Sequence, residues 1–582
     1  MKKPPSQFTR RQIIKGISAS SLVPLLGANL IGCSDGSDRR PGPDPEPPIE
    51  SVPADFNHGV ASGDPLADRV ILWTRVTPER DGNVVVDWEI ATDEAFTDIV
   101  GSGSGSTTAE VDYTVKVDAD GLDAASTYYY RFLTGDKVSP VGRTRTVATD
   151  ALASATFAVV SCSNYPAGYF NVYREIANQD VDAVLHLGDY LYEYNKDGYA
   201  SERAEEFGRV VMPETELLTL DDYRTRYAQY HSDSNLQDCH GAHPFVIVWD
   251  DHEVANDAWV EGAENHDPET QGDYSERRAA AIQAWYEWLP VRPPASEQDI
   301  IYRSFQYGDL LDLIMLDTRH VARDQQVDYG DFVNGGVIDS AAVNAATSDS
   351  ARTLLGSAQL DWVKSRLTDS TARWQVLGQQ VLMARQPLTE PLVRALTPGL
   401  AGDDPIGEAV AAVLAMSNAK NTPEDERTEE QQALLDGVIP FNPDAWDGYD
   451  FEREDLLAHA TQLQSRLVVL AGDTHNGWAS QITTADNTNV GVEFGGPSVS
   501  SPGAEAVIGL DNAALFGQFA VNLIDDLDYA NLVSRGYMAV TFSPDQLSCD
   551  YRYVTAVDST EYAIDEESAQ SFTVNRDDLL LS

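Results

Sequence analysis

One pattern limits the fold of this chain more than any other. From about residue 155 onward, short, nearly uninterrupted apolar runs break off into polar side chains capable of chemistry. The runs are "ATFAVVSCSN", "VDAVLHLGDYLYEY", "HPFVIVWDDHEVAND", "GDLLDLIMLDTRH", "ARWQVLGQQVLM" and "SRLVVLAGDTHNGW". Between them lie segments with helical spacing, including "YFNVYREIANQ", "YSERRAAAIQAWYEWLP" and "GSAQLDWVKSRL". Apolar strands of this kind, alternating with helices, predict an α/β fold whose sheet is covered on both faces. In such sheets ligands gather outside the carboxyl ends of the strands, where this chain places its polar groups.

The N-terminal part reads differently. "RVILWTRV" (69–76), "NVVVDWEIAT" (83–92), "YTVKVD" (113–118) and "TYYYRFLTG" (127–135) are rich in β-branched and aromatic residues and are separated by Asp and Gly turns. They predict an immunoglobulin- or fibronectin-like β-sandwich over 51–150. An α/β domain is expected over 151–555, with a helical insertion at about 385–440 and a C-terminal tail at 556–582.

Residues 1–50 are set aside from the fold. "TRRQIIK" precedes a moderately apolar run too short for a stable membrane span and resembles a twin-arginine signal. "LIGC" resembles a lipobox that would make Cys33 a lipidated first residue; cleavage elsewhere, leaving Cys33 unmodified, is the alternative. The Pro- and Asp-rich residues that follow read as a tether. The chain is therefore expected to be exported by the twin-arginine machinery and to be periplasmic, secreted or lipid-anchored at the cell envelope. Its other cysteines, Cys162, Cys239 and Cys549, are too few for a disulfide framework, though a Cys239–Cys549 bridge is open.

Forty Lys and Arg face 93 Asp and Glu, a formal charge of −53. That field repels nucleic acid, which is excluded as a partner, and suits a chain that collects cations. The strand ends supply Cys162, Asn164, Asp189, Tyr192, Glu193, Asp250, Asp251, His252, Asn256, Asp317, Arg319, Asp473 and His475. Singly, each has an ordinary structural reading: a buried thiol, a packed tyrosine, a turn aspartate. Jointly, repeated buried carboxylates need compensation, and few Lys or Arg lie nearby, so bound metal is the expected answer. Thiolate, phenolate, imidazole and carboxylate suit a transition metal such as iron, whereas Asp and Asn suit a harder ion. Strand alternation predicts that Asp473 and His475 point the same way. No nucleophile elbow, P-loop or dinucleotide fingerprint is present.

The ordered set "FNHGVASGDPLADRVILWTRV", "SCSNYPAGYFNVYREIA", "LHLGDYLYEY", "WDDHEVAND", "LDTRHVARDQ", "WDGYDFER", "LAGDTHNGW" and "SVSSPG" resembles the PhoD-type alkaline phosphatase family, over residues 53–555. The resemblance implies a metallophosphoesterase-like α/β sandwich core and hydrolysis of phosphate monoesters, often of diesters, at an Fe3+ and Ca2+ centre; other divalent metals are allowed. It implies iron on Cys162, Asp189, Tyr192 and His475. Asp189 would bridge to calcium, with Asp250 or Asp251, Asn256 and Asp473 as oxygen ligands. His252 would assist the leaving group, with Asn256 also at the catalytic centre and Arg319 against phosphate. The rivals are a phosphodiesterase or phospholipase D of the same fold and a non-catalytic calcium-binding surface lipoprotein.

Overall fold

The computed structural model describes residues 51–294, 300–397 and 399–582. Residues 1–50, with the expected export signal and Cys33, lie outside the described residues.

Two large sheets form the body. The first has nine strands in the order Gln570–Asn575, Gln546–Val554, Arg535–Phe542, Ala155–Val160, Ala183–His186, Pro244–Ile247, Val60–Gly63, Arg69–Arg75 and Thr114–Asp120. The second has seven, in the order Arg303–Tyr307, Leu311–Met315, Trp374–Gln379, Leu467–Ala471, Asn489–Gly495, Gly477–Thr483 and Leu527–Asn531. The strands that carry the polar ends run parallel in both sheets.

The sheets pack face to face, and their alternation shows in the cores. Leu313, Met315, Val376, Val468 and Leu470 share a core with Phe157, Val159 and Leu185 of the first sheet. Their neighbours Ile314, Leu377 and Val469 point the other way, into a second core beneath helices Gly356–Asp369 and Asp450–Leu463. Helices Asn171–Ala177, Ser234–Ala242 and Tyr274–Trp288 cover the outer face of the first sheet. A strand buried on both faces has no polar side to alternate with, hence the unbroken apolar runs.

The N-terminal β-sandwich forms as expected, with a core of Val70, Leu72, Val86, Ile90, Tyr130 and Phe132. One of its layers is not separate, however. Val60–Gly63 pairs in parallel with Pro244–Ile247, so this layer continues the nine-stranded sheet. A strand over Ile99–Thr107, "IVGSGSGST", is absent from the sequence reading because Gly and Ser mark loops. Gly103 leaves room for an indole: a Cβ there would stand 2.6 Å from Trp88 Nε1.

Three expectations are corrected. The 556–582 segment is not a tail, since Gln570–Asn575 forms the edge of the first sheet. Cys239 and Cys549 are free buried thiols, small apolar groups within one core, and not a disulfide. The insertion is closed at its base by a two-stranded ladder, Pro387–Thr389 against Val438–Pro440, and so is not wholly helical. Among the described residues no helix is long and apolar enough to cross a membrane.

Candidate metal centre

The carboxyl ends of the two sheets meet, with a bridge between Ser161 and Ser498. Here the chain leaves its strands by left-handed turns. Cys162 (φ 62°), Asp189 (φ 54°), Asp473 (φ 66°) and His475 (φ 62°) all adopt positive φ. Non-glycine residues visit this region at a cost of roughly 1–2 kcal/mol each, and such strain gathers at functional sites.

Three overlapping groups result. Ligand atoms of Cys162, Asp189 and His475 lie within 4.8 Å of one another, as do those of Asp189, Asp251 and His252, and those of Asp250, Asp251 and Asp473. Asp189 joins the first two groups and Asp251 the last two. Tyr192 belongs with the first. Its hydroxyl donates to Asp189 Oδ2 (3.0 Å), lies 3.0 Å from His475 Nε2 and accepts from Ser501 (2.7 Å). His475 Nδ1 is 2.7 Å from the Pro502 carbonyl, the contact of an N–H donor, which leaves the lone pair on Nε2 facing the cluster. Burial lowers the His475 pKa to about 3, so the ring is neutral, as a ligand requires.

The carboxylates share one arrangement. Asp189 Oδ2 accepts from Tyr192, Asp250 Oδ1 from Arg319 (2.5 Å) and Asp251 Oδ2 from the Asp257 N–H (2.5 Å). The second oxygen of each is buried and accepts no hydrogen bond. Burial, reinforced by neighbouring carboxylates, pushes the carboxyls of Asp189 and Asp250 well above the usual range, and Asp473 to about 7. Burial also raises Asp251, but Arg319 and His252 hold it below the usual range. Burial and Asp189 push up the Cys162 thiol, whose Sγ lies 3.1 Å from Ser161 Oγ. A buried lone pair on each of three carboxylates, beside a thiol and a bare imidazole nitrogen, is a donor set that fits cations.

Two sequence expectations need correction. Asp473 and His475 lie beyond the strand end at Ala471, in left-handed turns, so period-two alternation does not govern them. They serve different groups, Asp473 with Asp250 and His475 with Cys162. The shortage of local cations is also not absolute. Arg319 is fully buried and donates to Asp250, Asp444 (2.8 Å) and Asp473 (2.9 Å), with Asp251 at 3.9 Å. Its three nitrogens are therefore engaged by carboxylates, not presented to a phosphate group.

Asn256 lies on the turn that follows His252. Its Oδ1 accepts from Tyr194 (3.1 Å) and its amide donates to Glu264 (2.8 Å). Asp317 caps the turn beyond its strand by accepting from the backbone N–H groups of Arg319 and His320. His252 donates from Nδ1 to Glu193 (2.7 Å) and packs on the Tyr192 ring at 4.2 Å. Burial opposes its charge, but Asp251, Glu193 and Asp189 together raise its pKa well above the ordinary value.

Four contributors carry no motif of their own. Glu253 accepts from three backbone N–H groups at the site, while Ser501 and Pro502 hold Tyr192 and His475. Asp444 returns from the insertion to Arg319 and Arg323. "DDHEVAN" and "SVSSPG" were visible as strings, but no spacing rule points to a second-layer role.

Comparison with known proteins agrees with the geometry. Residues 157–551 match the family model of the PhoD-like phosphatases, and residues 44–148 that of the PhoD-like phosphatase N-terminal domain. The chain belongs to the PhoD-like phosphatase family. It is 34% identical over 599 residues to alkaline phosphatase D of Bacillus subtilis (strain 168), covering 98% of this chain and 88% of that protein. A solved structure of PhoD matches with a TM-score of 0.72 at 34% identity, covering 92% of this chain and 93% of that one. The chain is thus a phosphoric ester hydrolase whose substrate is a phosphate ester.

Proposed function

We propose that this phosphatase is exported and hydrolyses phosphate monoesters at a centre of more than one cation. The observation that carries this reading is the set of three buried, unmatched carboxylate oxygens on Asp189, Asp250 and Asp251. A buried acceptor without a donor costs about 1–3 kcal/mol, and cations would relieve all three. Cys162, Asp189, Tyr192 and His475 would hold iron; Asp250, Asp251 and Asp473 would hold a harder ion such as calcium, with Asp189 shared. Cations there supply charge that neutralises phosphate oxygens and acidifies water.

The chain's own residues do the rest. Glu193 orients His252 through Nδ1, leaving Nε2–H to protonate the departing alkoxide. Arg319 fixes Asp250 and Asp473 relative to each other and contributes positive charge behind them. Tyr192 and Ser501 close a hydrogen-bonded chain beside Asp189. Export rests on "TRRQIIK" and, for a lipid anchor, on "LIGC" at Cys33.

Elemental analysis of the folded protein, with p-nitrophenyl phosphate assayed against its bis ester, tests the reading. Iron and calcium with faster monoester turnover are expected. Faster diester turnover would assign a phosphodiesterase instead, and calcium without turnover an adhesive lipoprotein. Asp189→Ala should lose metal and activity together, whereas His252→Ala should slow turnover with metal retained; loss of metal from the latter would make His252 a ligand.

A further inference from the structure

Two helices next to the site expose an apolar face. Pro405–Asn421 lies in the insertion, and Leu510–Leu523 follows the 498–502 segment of the site. They are joined where Lys420 donates to the Leu523 carbonyl (2.8 Å). Their inner faces, Ala412, Val413 and Met416 with Ala513 and Ala520, belong to the second core. Their outer faces should then be polar. Instead Ile406, Val410 and Leu414, spaced by four, and Leu510 and Leu515 are 45–62% exposed.

Charge is missing from these helices too. At the chain's 23% charged residues, stretches of 17 and 14 residues would carry about seven charges. They carry Glu408, Lys420 and Asp511. Both helices are tied to the site. The Pro502 carbonyl partners His475 shortly before Leu510, and the insertion returns through Val438–Pro440 to Asp444 on Arg319.

We propose that this face docks on a lipid surface of low net charge, one of zwitterionic headgroups. An apolar face on a helix pair is what an interfacial contact buries. The choice of occupant follows from charge. An anionic bilayer, or a second copy of a chain at −53, meets a repelling field, while a zwitterionic surface meets none. The test removes Cys33, so that binding reads the face itself and not a lipid anchor.

The full chain carrying Cys33→Ser is mixed with phosphatidylcholine vesicles and bound protein is measured by flotation. Binding is expected, weaker on vesicles rich in anionic lipid. Ile406→Ser/Val410→Ser/Leu414→Ser should reduce it on the order of 100-fold, while turnover of a water-soluble monoester and the far-ultraviolet spectrum stay unchanged. Leu510→Ser/Leu515→Ser, on the other helix, should weaken binding in the same direction. No binding by the parent chain, equal binding by both multiple variants, or a dimer that either variant dissociates would overturn the proposal. Failure of turnover in the parent chain would instead count against the catalytic reading.

Discussion

Glu253 belongs to none of the candidate ligand groups, yet much of the centre depends on it. It is 2% exposed, and its carboxylate accepts from the N–H groups of Asp189 (3.0 Å), Tyr190 (2.6 Å) and Asp250 (2.7 Å). Burial, opposed by those N–H groups, pushes its pKa to about 8. At neutral pH the loss of negative charge is thus the smaller perturbation, and the loss of acceptors is the larger. In Glu253→Gln the amide oxygen can take the place of Oε2 and keep Asp189 and Asp250. Its NH2 then faces the Tyr190 N–H, which is stranded at about 1–3 kcal/mol. Glu253→Ala strands all three donors, about 3–9 kcal/mol by the same rule. Urea unfolding followed by tryptophan fluorescence should rank wild type above Gln and Gln above Ala. Metal content should fall in Ala, because two ligand-bearing turns lose their common seat. Stabilities equal within about 0.5 kcal/mol would refute the reasoning. So would Ala milder than Gln, which would mean that water fills the seat.

Gly188→Ala would place a Cβ 2.4 Å from the Asp250 Cβ at φ +110°, so a loss of about 2–5 kcal/mol in urea unfolding, with reduced metal content, is expected. Normal values for both would show that the Asp189 turn yields freely. Arg319→Ala leaves Asp250, Asp444 and Asp473 without their guanidinium, and should cost about 3–5 kcal/mol in chelator and less in saturating calcium. An equal cost in both buffers would mean that cations do not share those oxygens. Burial raises the Glu493 pKa from 4.5 to about 7, although the Met383 and Ala384 N–H groups bond it. The folded state therefore holds the proton longer, and stability falls between pH 4.5 and 7 by about 3 kcal/mol from this group, then levels off. Glu493→Gln should flatten that stretch of the stability profile; an unchanged slope would assign it to other groups.

The sheets were legible because a doubly covered strand cannot hide its composition: "LVVLAGD" and "VDAVLHLGD" admit few other readings. The convergence of Cys162, Asp189, Asp250, Asp251, His252, Asp473 and His475 was legible for the same reason, since abrupt polar ends mark carboxyl termini of buried strands. Three things were not. The pairing of Val60–Gly63 with Pro244–Ile247 is a long-range choice with no local signal. The Gly-Ser strand over 99–107 reads as a loop, and the packing of Gly103 against Trp88 has no local signal. The Arg319 side chain reaches Asp250, Asp444 and Asp473 across the fold, and nothing in its local sequence signals those partners.

The grouping of the ligands was illegible for a deeper reason. Alternation is a property of extended backbone, and Cys162, Asp189, Asp473 and His475 are not extended. Four left-handed turns at roughly 1–2 kcal/mol each persist only where surroundings leave no alternative. Those surroundings are identifiable: Glu253 binds the N–H of Asp189, the Asp189 carbonyl accepts from the Ser163 N–H, and Pro502 holds the His475 ring. The geometry that sorts the candidate ligands into their overlapping groups is thus imposed by residues outside those groups. A motif search ranks such residues last. By this reasoning, substitutions there should lower metal content and stability together, as for Glu253→Ala.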